Sequence, residues 1–221
     1  MQTNPPDASP IQTGAEFAFY PNLYMHESWR SGFLPDAIWE VLSQTQRTNG
    51  RLAGYISEQA KLPPPPSLDT WRHPKTRFCL LPVETIQKIA VWVALALNAN
   101  SLKRLVDAPS VARIRRELPA NGYEFVLRRA PLLTRATDPL SVDITIDVPL
   151  VDQLERSGIN YIALALGDLD EGLKARLKLK LPKHYAGLVE APQGQVLAYA
   201  AWQLVLKIIR EVEPECEASL V

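Results

Sequence analysis

Three histidines, His26, His73 and His184, two cysteines, Cys79 and Cys216, and a short acidic run, Asp168, Asp170 and Glu171, are the residues whose types could do chemistry. Their spacing does not support it. The histidines lie far apart in connecting segments, and none has a second ligand at metal-site spacing such as His-x-x-x-His. Cys79 sits between Phe78 and Leu80, an apolar setting that raises a thiol pKa and makes it inert. The acidic run after Gly167 lacks the alternate-position ligands of a calcium loop and reads as a solvated turn. The ten glycines form neither a phosphate loop nor a dinucleotide fingerprint, and no G-x-S-x-G elbow occurs. Catalytic, cofactor and metal residues are all assigned as none.

Charge is the stronger signal. From Ser101 to Arg135 there are eight basic residues against three acids, and the last eleven residues hold four acids and no base. Arg113, Arg115, Arg116, Arg128 and Arg129 on one side, and Glu213, Glu215 and Glu217 on the other, are therefore candidate partner-binding residues, because charge steers encounter and sets register. The plainer alternative is that they are solvated helix faces. The formal net charge of the 221-residue chain is zero. That balance, with no helix-turn-helix signature and no aromatics interleaved among the arginines, argues against a nucleic-acid binder.

The elements that must carry these residues are mostly helical. The core is marked by Leu81 to Val106, where Pro82 and Glu84 open a helix that turns almost wholly apolar from Ile89 to Leu97 and ends near Asn98 and Asn100. Shorter helices follow over Leu102–Asp107, from Pro109 and Ser110 to Glu117, and over Tyr123–Arg129. Pro149 begins another that Gly158 interrupts or ends, with a buried segment from Ile159 to Leu166. A last long helix spans Pro192 to Glu213. Upstream, Leu34-Pro35-Asp36 opens a helix with Ile38, Trp39, Val41 and Leu42 on its apolar stripe, and a second runs from Leu52 to Lys61. Phe17, Phe19, Tyr20, Leu23 and Tyr24 form an aromatic cluster that pins the chain entry onto the core.

Two stretches alternate with period two: Ser141–Val148, with aspartates on its polar side, and Arg176–Leu181, with lysines and arginine. They read as paired strands of a small sheet. The predicted fold is mainly α, α+β at the margin: a single helical domain over residues 16–213 with a small two- or three-stranded sheet. A flexible tail covers 1–15, a Pro-rich internal linker lies near 62–67, and an acidic tail covers 214–221. No basic start followed by an apolar segment marks a targeting signal, and the longest apolar run is about half the roughly 20 residues a membrane span needs. Two cysteines suit a reducing compartment. A soluble cytoplasmic protein is expected.

Several stretches in order resemble the SctK family, the YscK- and PscK-like sorting-platform components of bacterial type III secretion systems. They are Phe17-Ala-Phe-Tyr-Pro-Asn-Leu-Tyr-Met-His, Leu81-Pro-Val with its apolar helix, Leu102 to Arg116, and Ser157-Gly158 followed by an apolar helix, an acidic turn and Ala175-Arg-Leu-Lys-Leu-Lys-Leu-Pro182. The resemblance implies a non-enzymatic adaptor without cofactors. Its partners would be the cytoplasmic domain of the inner-membrane ring protein SctD and the pod protein SctQ, and through them SctL and the ATPase SctN. It implies a place at the cytoplasmic face of the inner membrane, without membrane insertion and without nucleic acid. The alternatives are a small helical enzyme with an unrecognised site, or a secretion chaperone or regulator.

Overall fold

The computed structural model describes residues 10–105, 108–134, 149–189 and 195–220. Every element among them is helical. In chain order the α-helices are α1 (Pro10–Phe19), α2 (Pro21–Tyr24), α3 (Glu27–Arg30), α4 (Asp36–Ser43), α5 (Gln46–Gln59), α6 (Pro74–Phe78), α7 (Val83–Leu97), α8 (Ala99–Arg104), α9 (Ala108–Glu117), α10 (Gly122–Arg128), α11 (Ala130–Leu133), α12 (Leu150–Ala165), α13 (Glu171–Lys180), α14 (Ala186–Val189), α15 (Gln195–Val212) and α16 (Pro214–Leu220). Short 3₁₀ turns cover Leu68–Arg72 and Lys183–Tyr185.

The residues group into two compact units. The first comprises Met1–Leu81, Leu169–Ala191 and Leu220–Val221; the second comprises Pro82–Asp168 and Pro192–Ser219. The first unit is built from short helices. Met25, Trp39, Leu52, Ile56 and Leu179 form one core cluster. Phe17 stacks on Tyr24 at 4.5 Å between ring centroids and meets Trp71 edge-on at 5.9 Å, while Phe19, Tyr20 and Leu23 of the expected cluster are exposed. The chain entry starts earlier than the expected tail allows, since residues 10–15 already belong to α1. Gly14 lies flat against the Trp71 indole; a Cβ there would come within 2.6 Å of the ring.

The segment Arg176–Leu181 is a correction. It is not a strand but the second half of α13. Helical spacing puts Leu173, Arg176, Leu177 and Lys180 at buried positions, and Leu179 is buried as well. The helix is enclosed nearly all round, so the alternation of leucines with cations reports no exposed face. The cations are accommodated by donating to backbone carbonyls. Arg176 donates through Nε to Ala18 O at 2.9 Å, and through Nη1 to Gly172 O at 2.9 Å and Pro63 O at 3.1 Å. Lys180 Nζ donates to Cys79 O at 2.9 Å. These bonds offset the cost of taking the charges out of water. The partner strand expected at Ser141–Val148 lies outside the described residues, and the pairing of the two stretches falls with the first.

The proline run lies outside any helix, within the first unit. Pro63 is held by Arg176, and Gly172 of α13 comes so close to the run that a Cβ on it would lie 2.9 Å from Pro64 O. The chain passes from the first unit to the second at Leu81–Pro82 and returns to the first at Asp168–Leu169.

The second unit is built on long apolar helices. In α7, Ile86 and every residue from Ile89 to Ala96 are buried, as the composition of that run requires. Each fully buried Val, Leu or Ile side chain contributes about 1.5–3 kcal/mol relative to exposure. Asn98 closes α7 with φ −94°, not in the left-handed region, and its side-chain amide donates to Ala94 O at 2.8 Å. Helix α12 runs unbroken through Gly158, where an interruption was expected. A Cβ at Gly158 would lie 1.8 Å from Ala90 O, so the glycine is where α12 meets the α7 backbone. Helix α15 packs on α7 and α12, burying Ala198, Ala201, Trp202, Val205, Ile208 and Ile209.

Candidate docking surfaces

The residues that could have done chemistry have structural duties. His26 and His73 cap helices: Nδ1 of each accepts a backbone N–H at 3.2 Å, from Ser28 and Lys75 respectively. His184 packs against the Tyr185 ring. Asp170 caps α13 by accepting from Gly172 N at 2.8 Å, and Glu171 pairs with Lys174 at 2.9 Å. Cys79 is fully buried, and its burial pushes the thiol up to about 12, against a smaller opposing effect of Lys180. At that value it holds no thiolate near neutral pH. Among the described residues no group of three or more His, Cys, Asp and Glu is placed to hold a metal.

All the charged candidate residues fall in the second unit. On α9, Arg113 Nε contacts Glu117 Oε1 at 2.9 Å and Arg116 Nη2 lies 3.5 Å from the same oxygen. The other Glu117 oxygen accepts Leu150 N–H at 2.9 Å, which caps the start of α12. The Leu150 hydrogen bond, and after it Arg113, hold the Glu117 carboxyl below its ordinary range. Arg115 is exposed and lies over the Tyr123 ring, 4.9 Å from its centroid. Ala108, Val111, Ala112, Arg115 and Arg116 line an open, shallow depression on α9.

Arg128 pairs with Glu124 at 2.9 Å within α10, and Arg129 with Glu211 at 3.3 Å. Glu213 pairs with Lys88, and Glu217 with Arg210. Glu215 is exposed in the first turn of α16. The acidic terminus forms α16, and Glu217 in it pairs with Arg210 of α15. Arg129 pairs with Glu211, which lies two residues before the acidic candidates. Otherwise each set has partners of its own.

A different basic surface lies in the first unit. Trp29 of α3 donates Nε1–H to Leu181 O at 2.9 Å, and its ring carries Lys178 Nζ at 5.8 Å and Lys183 Nζ at 5.6 Å. The bond joins positions 152 residues apart, so no local sequence signal could have revealed it.

The family model for YscK, described as the YOP proteins translocation protein K, matches residues 11–220. The chain belongs to the YscK family. No curated protein sequence matches it significantly. The solved cytoplasmic domain of the type III secretion sorting platform protein PscK from P. aeruginosa has the same fold, with a TM-score of 0.60 at 20% identity over 92% of this chain and 96% of that one. A YscK-family chain is a component of type III secretion. No helix among its described residues is long and apolar enough to cross a membrane.

Proposed function

We infer that this chain is a non-enzymatic adaptor of the sorting platform. It links the cytoplasmic domain of the ring protein SctD to the pod protein SctQ, and through SctQ to SctL and the ATPase SctN. It works at the cytoplasmic face of the inner membrane without inserting into it, and effector secretion depends on it. The observation that carries this reading is the family match across nearly the whole chain, 11–220. The division into two compact units supports it, since a bridging part needs separate surfaces for separate partners. The buried, high-pKa Cys79 and the helix-capping histidines fit a protein without a nucleophile or acid–base pair.

Within this reading Arg113, Arg115, Arg116, Arg128 and Arg129, or Glu213, Glu215 and Glu217, meet a neighbour. Arg115 and Arg116 on α9, Arg128 and Arg129 at the end of α10, and Glu215 on α16 are the exposed members of the two sets. The test is affinity purification of the tagged chain from secreting cells. SctD and SctQ homologues should be recovered together. Charge reversal at Arg115, Arg116 and Arg128 should reduce one of them and leave the other. Recovery of neither homologue by the wild-type chain would overturn the reading, and unchanged recovery of both by the reversal would remove the arginines from it.

A further inference from the structure

We propose that the outer face of α4 in the first unit is a docking site for a basic amphipathic helix of a protein partner. Helix α4 is apolar on two sides. Its inner side carries Trp39, buried in the core cluster, with Leu42 partly buried beside it. Its outer side carries Ala37, Ile38 and Val41, all exposed, Ile38 to 47% and Val41 to 63%. A single exposed apolar side chain is ordinary, but a helix that is apolar all round is normally a covered one. Ile38 and Val41 do not serve α4 itself. Both are β-branched and poorer helix formers than the Ala, Glu or Lys that suit an exposed helix position.

Charge indicates what covers the face. At about 100° per residue, Asp36 and Glu40 stack along one edge of the stripe formed by Ala37, Val41 and Ile38. Both carboxylates are exposed, and among the described residues neither has a cation within ion-pair distance; Arg47 and Arg51 of α5 do not reach them. Asp36 complements the positive end of α4, but Glu40 in mid-helix has no such duty. An apolar stripe edged by acids matches a leucine stripe edged by Lys or Arg, since complementary charge sets register and suppresses wrong partners. Ile38 and Val41, three residues apart, form one short ridge that fits between the side chains of a crossing helix. The same acids repel an anionic membrane surface. The face is also held in place before any partner arrives. Trp39 sits in the core with the Arg30 guanidinium over its ring at 5.3 Å, and Tyr55 of α5 donates its hydroxyl to Phe33 O at 3.3 Å just ahead of α4.

The site lies apart from the charged candidates of the second unit, and the proposal rests on the adaptor reading only in treating the chain as a binding part. Its test uses no secretion component, so its failure leaves that reading standing. The full chain is titrated with a fluorescein-labelled peptide made of two Leu-Lys-Lys-Leu-Ala-Lys-Lys repeats. A version with Glu for Lys, and a reordered peptide of the same composition without the leucine stripe, serve as comparisons. The basic striped peptide should bind more tightly than either, and should weaken several-fold as salt rises from about 50 to about 300 mM. Ile38→Lys and Val41→Lys should each lose about tenfold in affinity. Glu40→Lys should lose several-fold, while Glu84→Lys, an exposed acid of the second unit, binds as wild type does. Lys is a better helix former than Ile or Val, so these losses do not come from melting α4. No binding at about 1 mM peptide, equal binding of the acidic or reordered peptide, or unchanged affinity in Val41→Lys and Glu40→Lys would each overturn it. So would self-association of the chain that Val41→Lys abolishes without any peptide binding, which would give the face to a second copy.

Discussion

The two units solve the same problem, enclosing helices, by different means. The second uses long apolar helices that meet backbone to backbone at Gly158 and Ala90. The first uses short helices, which leave proportionally more backbone carbonyls at their ends. It answers backbone carbonyls with buried cations: Arg176 reaches Ala18 O near the end of α1, Pro63 O and Gly172 O, and Lys180 reaches Cys79 O after α6. One unit is held mainly by the non-directional burial of apolar surface, the other also by a few directional bonds that must be complete. The difference teaches where each is fragile. A volume change damages the second unit, and loss of a donor damages the first.

Substitutions can break or sharpen that contrast. The largest effect is expected at Gly158. Gly158→Ala puts a methyl 1.8 Å from Ala90 O, a backbone atom that cannot swing aside, so the helices must separate. A loss of more than about 4 kcal/mol is expected, enough to abolish a cooperative transition of the second unit in chemical denaturation. Gly14→Ala is the counterpart in the first unit, but there the obstacle is the Trp71 side chain. A side chain can shift, so a cost of about 1–3 kcal/mol is expected in the same measurement. Equal effects at the two glycines would contradict the distinction.

Next in size are the groups that fill each core. Trp92 is buried and meets Phe125 edge-on at 5.0 Å. Trp92→Ala should cost about 3–5 kcal/mol through the cavity it leaves. Arg176→Met keeps most of the volume but strands Ala18 O and Pro63 O, at about 1–3 kcal/mol for a buried group left unsatisfied. Hydrogen exchange should show the Trp92 change raising exchange across α7, α12 and α15, and the Arg176 change raising it in α1 and α13. Loss of protection in the opposite set for either variant would count against independent means of support.

The smallest effects lie in the surface ion pairs. Removing Arg129–Glu211 or Lys88–Glu213 should change stability by about 0–1 kcal/mol. Glu117 differs in kind, because its folded-state pKa is depressed. A depressed carboxyl contributes stability that is present above its unfolded pKa of about 4.3 and is lost as pH falls through the lower folded value. Glu117→Gln should therefore flatten the acid limb of a stability-versus-pH curve, with no change of slope near neutrality.

The same contrast explains what could be read from the sequence. The second unit was legible because its core residues are apolar and helically spaced: α7 and α15 were expected close to their observed bounds. Gly158 was visible as a glycine but not as a contact, since its meaning depends on Ala90 in another helix. In the first unit the signal was misleading. In α13 the positions that complete the helical period are Arg176 and Lys180, so the buried face looked polar and the leucines looked like one side of a strand. The helix over residues 46–51 at the start of α5 was missed because its one marker, the Thr45 cap on Thr48 N, is local and modest. The charged candidates were legible as types, but which of them pair with one another was not, because Arg129–Glu211 and Lys88–Glu213 join distant segments.

The central claim is that the chain bridges two partners. The most direct measurement is co-purification of SctQ with tagged SctD in cells with and without this chain. The account predicts that SctQ is recovered when the chain is present and lost when it is deleted, with wild-type protein supplied in trans restoring it. Recovery of SctQ with SctD at the same level in the deletion strain would contradict it.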